Sequence, residues 1–591
     1  MPTFPVINDT SIYKQITSTF LGYNHNLKIK QSEFYDMKNM TSSFYPILSP
    51  RPRRGIYSSP TSPQGMIGKD SLCYVDGRYF VVNGSPVDMN LSTEASDCPK
   101  SLISMGAYVI ILPDKKYINT KDLTDFGNIE ASVTAEDGAS FSLCTLTGDD
   151  IRNAVTGATA PNDPANLSYW IDTSSTPHAL RQWNETNGMW VSVATTYVKI
   201  SAPGIGVPFN VNDGITLSGI APAQLSDLNG TVILWGKGDD YLIVTGIIDA
   251  AQTQTSPITV ERQMPDMDFI TESENRLWGC RYGMARNGEF VNEIYACKLG
   301  DFRNWNCFMG ISTDSYVVSV GTDGQFTGAV THLGRPIFFK EDCLHKIYGS
   351  YPANYQVQTT HGRGVQRGCE RSLAIVNEVL YYKSRSAVCA YDGSLPTEIS
   401  TALGDIVYGD AVAGAFGNKY YISMKDEQDG WHLFVFDTAK GIWHKEDSTH
   451  ALDFCTCRNE LYFIDADDKR IYTVNGSGVA DARDVEWMAE TGAVGIVEEY
   501  TGTTRFAKRK YISRLVVRMA LDRRSSVTFF IEYDSDGHWE RLFDMNGTSL
   551  NSFSIPIRPR RCDHFRIRIE GRGDAKIYSF VADVEEGSDL H

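Results

Sequence analysis

No stretch of the 591-residue sequence approaches the roughly 18–20 apolar residues of a membrane-spanning helix. The opening MPTFPVINDTSIYKQ has no charged segment followed by an apolar core. Neither helical membrane insertion nor export by a standard signal is expected. Charge is sparse as well: 21% charged residues against 42% hydrophobic ones is far from the balance of a disordered chain. The common catalytic signatures are missing, with no HExxH, paired CxxC, GxSxG or phosphate loop. The glycines Gly362, Gly364 and Gly368 lie between short strand-like segments and do not open a helix, so nucleotide binding is not expected. Twelve cysteines are scattered, mostly in apolar runs such as LWGC, AVCAY and FSLC, where a reduced thiol behaves as a small hydrophobe. Cys455 and Cys457 stand too close for ordinary zinc spacing and have no matching second pair.

What the chain does contain is strand-forming material. Fifty glycines, 30 tyrosines and 27 phenylalanines, with Val, Ile and Thr throughout, suit short strands joined by tight turns. The length exceeds what one hydrophobic core accommodates, so several domains are expected. A formal charge of −17 argues against generic wrapping of nucleic acid, which needs clustered Lys and Arg. An acidic wall would instead let DNA slide past without sticking.

The fold expected is all-β: a β-propeller of six or seven blades interrupted by a small inserted β domain, followed by an antiparallel β-sandwich. Residues 1–65 read as an extended arm that packs on its own domain or on a neighbouring subunit. Within 66–127, SLCYVDGRYFVVNG places Asp76-Gly77 between two apolar runs, a strong hairpin signal, and AYVIILPDKKYINT turns at Pro113-Asp114. Residues 128–230 break the rhythm and read as the insert. From 231 to 480, strand–turn–strand units recur every 35–45 residues or so, the period of propeller blades. The arm, or strands near residue 240, is expected to close the ring, because an unpaired blade edge invites aggregation. Residues 481–591 alternate apolar and polar positions as a sandwich does. Residues 501–572 carry 15 Lys and Arg against 8 Asp and Glu, so this module is basic while the rest is acidic.

Three groups of residues are candidates for contact. Arg51, Arg53 and Arg54 form either a solvated turn or a site for an acidic partner surface. Arg558, Arg560, Arg561, Arg566, Arg568 and Arg572 form the most charged feature. Alternation along FRIRIEGR sets Arg566 and Arg568 opposite Phe565, Ile567 and Ile569, leaving a solvated outer face, a subunit contact or a DNA contact as readings. Trp170, Trp183 and Trp190 are either core of a small domain or a platform for sugar rings. A blade-built glycosidase would need two carboxylates across a sugar, and abundance of carboxylates decides nothing. The run Tyr533 to Trp539 resembles the Asp-box hairpin of sialidases but occurs once. Asp465, Asp467 and Asp468, like Asp534 and Asp536, lack the remaining ligands of a calcium loop. No catalytic residue, metal or cofactor is expected, and the chain is expected not to be an enzyme.

The segments HLGRPIFFKEDCLHKIYG, ERSLAIVNEVLYYKSRSAVCAYDGSLPTEIS and DTAKGIWHKED, with the preceding EFYDMKNMTSSFYPILSPRPRRG, resemble the propeller-bearing tail proteins of bacteriophages and prophages. Among them the nozzle proteins of short-tailed phages are most similar, over roughly residues 20–480, through soft patterns. The resemblance implies a virion protein made in the host cytoplasm, a homo-hexameric ring joined to the tail adaptor and other tail proteins, and passage of double-stranded DNA through an acidic channel. It suggests no catalytic residues. The insert departs from the family pattern and leaves contact with a host surface glycan open. The readings that follow are a structural tail nozzle or tube extension for genome ejection, a receptor- or glycan-binding tail protein using the insert, and a blade-repeat glycosidase.

Overall fold

Aromatic and β-branched residues at alternate positions, interrupted by Gly and Asn turns, give short antiparallel strands almost everywhere. The computed structural model describes residues 12–93, 99–476, 479–480, 485–497, 504–505 and 509–586. Among them the helical segments are four 3-10 turns, Ala223–Leu228, Pro352–Asn354, Glu370–Ser372 and Thr401–Leu403. The fold is an all-β propeller with an inserted β domain and a C-terminal antiparallel sheet. The chain divides into two compact units: residues 1–100 with 339–344 and 360–591, and residues 101–338 with 345–359.

Among the described residues seven sheets are the blades, six of them in simple meander order. They begin at Pro63–Gly68, Ser101–Met105, Phe269–Ser273, Gly328–His332, Ala374–Val376, Tyr408–Phe416 and Ala451–Cys457. The expected hairpin is present: Leu72–Asp76 pairs with Tyr79–Val82, and Gly77 takes φ +57°, a conformation that favours a residue without Cβ.

In the first unit the arm is not merely extended. Gly55–Ser58 pairs antiparallel with Ile471–Thr473 and becomes the fourth strand of the last blade, with Val479–Ala480 on its other side. An N-terminal strand thus completes a blade whose other strands lie some 400 residues later, removing an open edge. Ile12–Thr17 pairs with Ala575–Glu586 and Phe34–Lys38 with Glu486–Thr491, so the arm also supplies both flanks of the C-terminal sheet. Between these strands it lies on the blade of Tyr408–Phe416, where the Tyr23 N–H donates to the Trp443 carbonyl at 2.6 Å. Gly22 allows that approach, with φ +80° and no room for a Cβ against the same carbonyl.

The C-terminal module, expected as a sandwich, has its main strands joined in one continuous seven-stranded sheet. Its central strand, Lys510–Tyr533, pairs along its first half with Ala575–Glu586 and along its second with Phe565–Arg572. The change of partner falls between Leu521 and Ser526, opposite Gly573 and Asp574, where the pairing with Glu540–Ile555 also shifts register. Glu540–Ile555 covers the other side of the same strand. One face of the central strand is buried through Leu515, Val517, Met519, Val527, Phe529 and Ile531.

In the second unit the insert is larger than the sequence suggested. Tyr241–Thr245, expected among the blades or as a closing strand, pairs instead with Tyr197–Ser201 inside the insert, and Gly236–Gly238 pairs with its other side. Ile258–Arg262 likewise pairs with Ala131–Ala135 and Gly214–Ser218. These sheets and a third, Val155–Gly157, Tyr169–Asp172, Ala179–Asn184 and Met189–Ser192, share one core that includes Phe141, Val198, Ile200, Ile215, Leu242 and Val260.

Candidate functional site

The arm arginines are built into the fold of the first unit. Arg54 lies 2.9 Å from Glu446 and 3.0 Å from Asp447, donates to Thr449 at 2.7 Å, and places its guanidinium 5.0 Å from the centroid of the Phe463 ring. Arg51 reaches Asp447 at 3.2 Å and donates to Asn39 at 2.8 Å. Burial alone would lift the Asp447 carboxyl, but the Arg54 and Arg51 guanidinium groups overcome it and hold it down at about 2. Burial and the neighbouring Arg54 lower the pKa of Arg51, whereas the carboxylates of Asp447 and Glu446 outweigh burial and raise that of Arg54. Arg51 and Arg54 therefore fasten the arm to the loop after Ile442–Lys445. Arg53 is exposed beside them and, with Lys38, Arg572, Asp465 and Glu486, lines an open pocket of about 490 Å³.

The C-terminal arginines separate into two sets. Arg566 and Arg568 do share a strand face, but that face is covered. Glu490 binds both, Arg568 at 2.7 Å, and Glu532 binds Arg566 at 3.1 Å. The Trp539 ring lies 4.1 Å from the Arg568 guanidinium, and Tyr35 of the arm lies 5.0 Å from that of Arg566. Glu490 and Glu532 are almost fully buried, so this is an internal network and not a solvated outer face. Arg558, Arg560, Arg561 and Arg572 are exposed. Arg560 lies 3.9 Å from Asp536 and over the ring of Tyr533.

The three tryptophans come together on the third sheet of the insert. Trp183 faces Trp190 across neighbouring strands with ring centroids 5.5 Å apart, and Trp190 meets Trp170 at 5.6 Å, both edge-to-face. The alternation of the strands sends Ile171 and Leu180 into the insert core and the tryptophans to the opposite face. On that face Arg181 lies over Trp170 and donates to Asp172 at 3.0 Å. Trp170 is buried by these neighbours and donates its indole N–H to the Gly157 carbonyl at 2.8 Å, while Trp183 and Trp190 are partly exposed. Sequence inspection missed Arg181 and Asp172 because only strand register shows that they share the tryptophans' face.

The acidic motifs are turns. Asp465 accepts the backbone N–H groups of Asp467 and Asp468, and Asp534 accepts those of Asp563 and His564. Among the described residues no three His, Cys, Asp or Glu side chains cluster as metal ligands do. The eleven described cysteines are free thiols, all but Cys455 fully buried; Cys98 lies outside the described residues. A carboxylate that the sequence did not single out is Asp453, in the strand Ala451–Cys457. Burial raises its pKa, while Arg371 at 3.2 Å and the Met66 N–H at 2.9 Å oppose the rise.

No protein-family model and no curated protein matches the sequence. Similar solved structures include the exo-β-1,3-galactanase of Phanerochaete chrysosporium, at 8% identity and TM-score 0.21, covering 53% of this chain and 94% of that one. A glycoside hydrolase family 43 arabinoxylan arabinofuranohydrolase from Bacillus subtilis matches at 8% identity and TM-score 0.18 over 54% and 95%. The Trypanosoma rangeli sialidase matches at 10% identity and TM-score 0.18 over 90% and 95%. The expectation that this chain is not an enzyme is corrected by the finding that these similar structures are enzymes. At these identities no substrate, catalytic residue or partner is transferred.

Proposed function

We propose that the protein is a structural component of a bacteriophage tail, a ring-forming nozzle or tail-tube extension through which double-stranded DNA leaves the particle. The observation that carries the reading is the division of charge. Residues 501–572 hold 15 of the 55 Lys and Arg but only 8 of the 72 Asp and Glu, leaving 40 basic against 64 acidic residues elsewhere. Head-to-tail contact between unlike surfaces generates rings when the rotation between copies closes, and a basic module meeting an acidic body favours that contact. The same excess of acid repels phosphates along a channel. The candidates for the basic side are the exposed Arg558, Arg560 and Arg561, since Arg566 and Arg568 are engaged internally. The resemblance of the blade segments and the arm to phage nozzle proteins supports the same role, with the adaptor and other tail proteins as neighbours and the virion as the location.

Mass photometry of the full-length protein tests the assembly. Six-subunit rings are expected at low salt, dissociating as ionic strength rises and weakened when Arg558, Arg560 and Arg561 are replaced together by serine. A population of monomers or trimers alone, at every salt concentration, contradicts the ring.

A further inference from the structure

The outward face of the small sheet in the insert has the composition of a saccharide site. Trp170, Trp190 and Trp183 form a row with successive centroid distances of 5.6 and 5.5 Å, and the row lies on the side of the sheet away from Ile171 and Leu180. Tryptophans placed only to fill a core would point the other way. Two of the three rings keep part of their surface in solvent, and exposed Val155 is the neighbour of Trp170 on the adjoining strand. Beside the rings stands one ion pair, Arg181 with Asp172, whose Asp side chain is nearly buried and also accepts from Ser174. The Arg181 side chain is about one-third exposed, and the hydrogen bond that it makes among the described residues uses Nε.

We propose that this face binds a neutral oligosaccharide. A pyranose offers a face of C–H bonds, weakly positive, which lies favourably against the negative face of an indole ring. Its hydroxyls then fall at the rim, where the terminal nitrogens of Arg181 donate hydrogen bonds. Charge selects among occupants. Residues 131–262 carry 13 Asp and Glu against 5 Lys and Arg, and the platform's own arginine is already neutralised by Asp172. Nucleic acid and polyanionic glycans are repelled by such a domain, and a neutral sugar is not. The site is complete within one chain, so it goes beyond the ring reading and does not depend on it.

The test applies the full-length protein to neutral gluco-, galacto- and manno-oligosaccharides, with hyaluronate as the anionic comparison, following tryptophan fluorescence and direct binding. Saturable binding to at least one neutral series is expected, weakened about tenfold or more in Trp183→Ala/Trp190→Ala. Trp190→Phe, which keeps a ring and the packing, should retain most of the affinity, and circular dichroism of each variant reports folding independently. No binding to any neutral series, binding to hyaluronate alone, or affinity unchanged by loss of both exposed rings overturns the proposal.

Discussion

Replacing Arg54 with alanine is expected to destabilise the first unit by about 3–5 kcal/mol, the usual cost of removing one partner from a buried ion cluster. The side chains of Glu446 and Arg54 are 4% and 11% exposed, so the carboxylates left behind cannot recover full hydration. The effect is larger than loss of one contact because the arm is continuous. Arg54 immediately precedes Gly55–Ser58, the fourth strand of the last blade, and follows the two arm strands that flank the C-terminal sheet. Loosening it exposes an unpaired blade edge. Urea denaturation followed by tryptophan fluorescence should show an earlier transition, and limited proteolysis should show cleavage within residues 40–60. Arg53→Ala, on the exposed neighbour, should change stability far less. Equal effects of the two substitutions would show that the cluster does not fasten the arm.

The second large effect is acid sensitivity at His444. Burial, reinforced by Lys419 and Lys440 against Asp437, pushes its imidazole down to about 3, so it is neutral in the folded protein. An unfolded histidine takes up a proton near its ordinary value of about 6.5. The folded value is the lower one, so the stabilising contribution is present above pH 6.5 and is lost as pH falls towards 3. At pH 4.5 the loss amounts to about 2–3 kcal/mol. Asp447 acts in the same direction over a lower window, from its ordinary value of 3.8 down to about 2. His444→Gln carries its own packing cost at every pH. The informative quantity is therefore the difference in unfolding free energy between pH 7.5 and 4.5, which should shrink by most of that amount in the variant. An unchanged difference would mean that His444 is not the group titrating.

Much of the fold could be read before the structure because blades are local objects. The Asp76-Gly77 hairpin needs only the neighbouring apolar runs, and its strands pair within a dozen residues. The arm was legible as extended chain and as a source of closing pairs, but its paired segments were not, because Ile12–Thr17 and Gly55–Ser58 find partners more than 400 residues away. A short segment's strand character is set by the surface that receives it. The insert's end was misplaced for a related reason. Tyr241–Thr245 has the alternation of a blade strand, and alternation does not name the partner. At the candidate sites the pattern gave faces but not coverings. FRIRIEGR correctly set Arg566 and Arg568 on one side, while Glu490, Glu532 and Trp539, distant in sequence, turn that side into an interior network. The tryptophans were visible as a cluster, but the register between Tyr169–Asp172 and Ala179–Asn184 was needed to place them outside the core.

The proposed role as a tail ring is tested most directly by a cryo-electron microscopy map of an assembled particle that contains this protein. The account predicts six copies in a closed ring below the adaptor, the acidic excess towards a central channel, and Arg558, Arg560 and Arg561 at the boundary between neighbouring copies. Copies placed singly or as trimers away from the channel axis would contradict it.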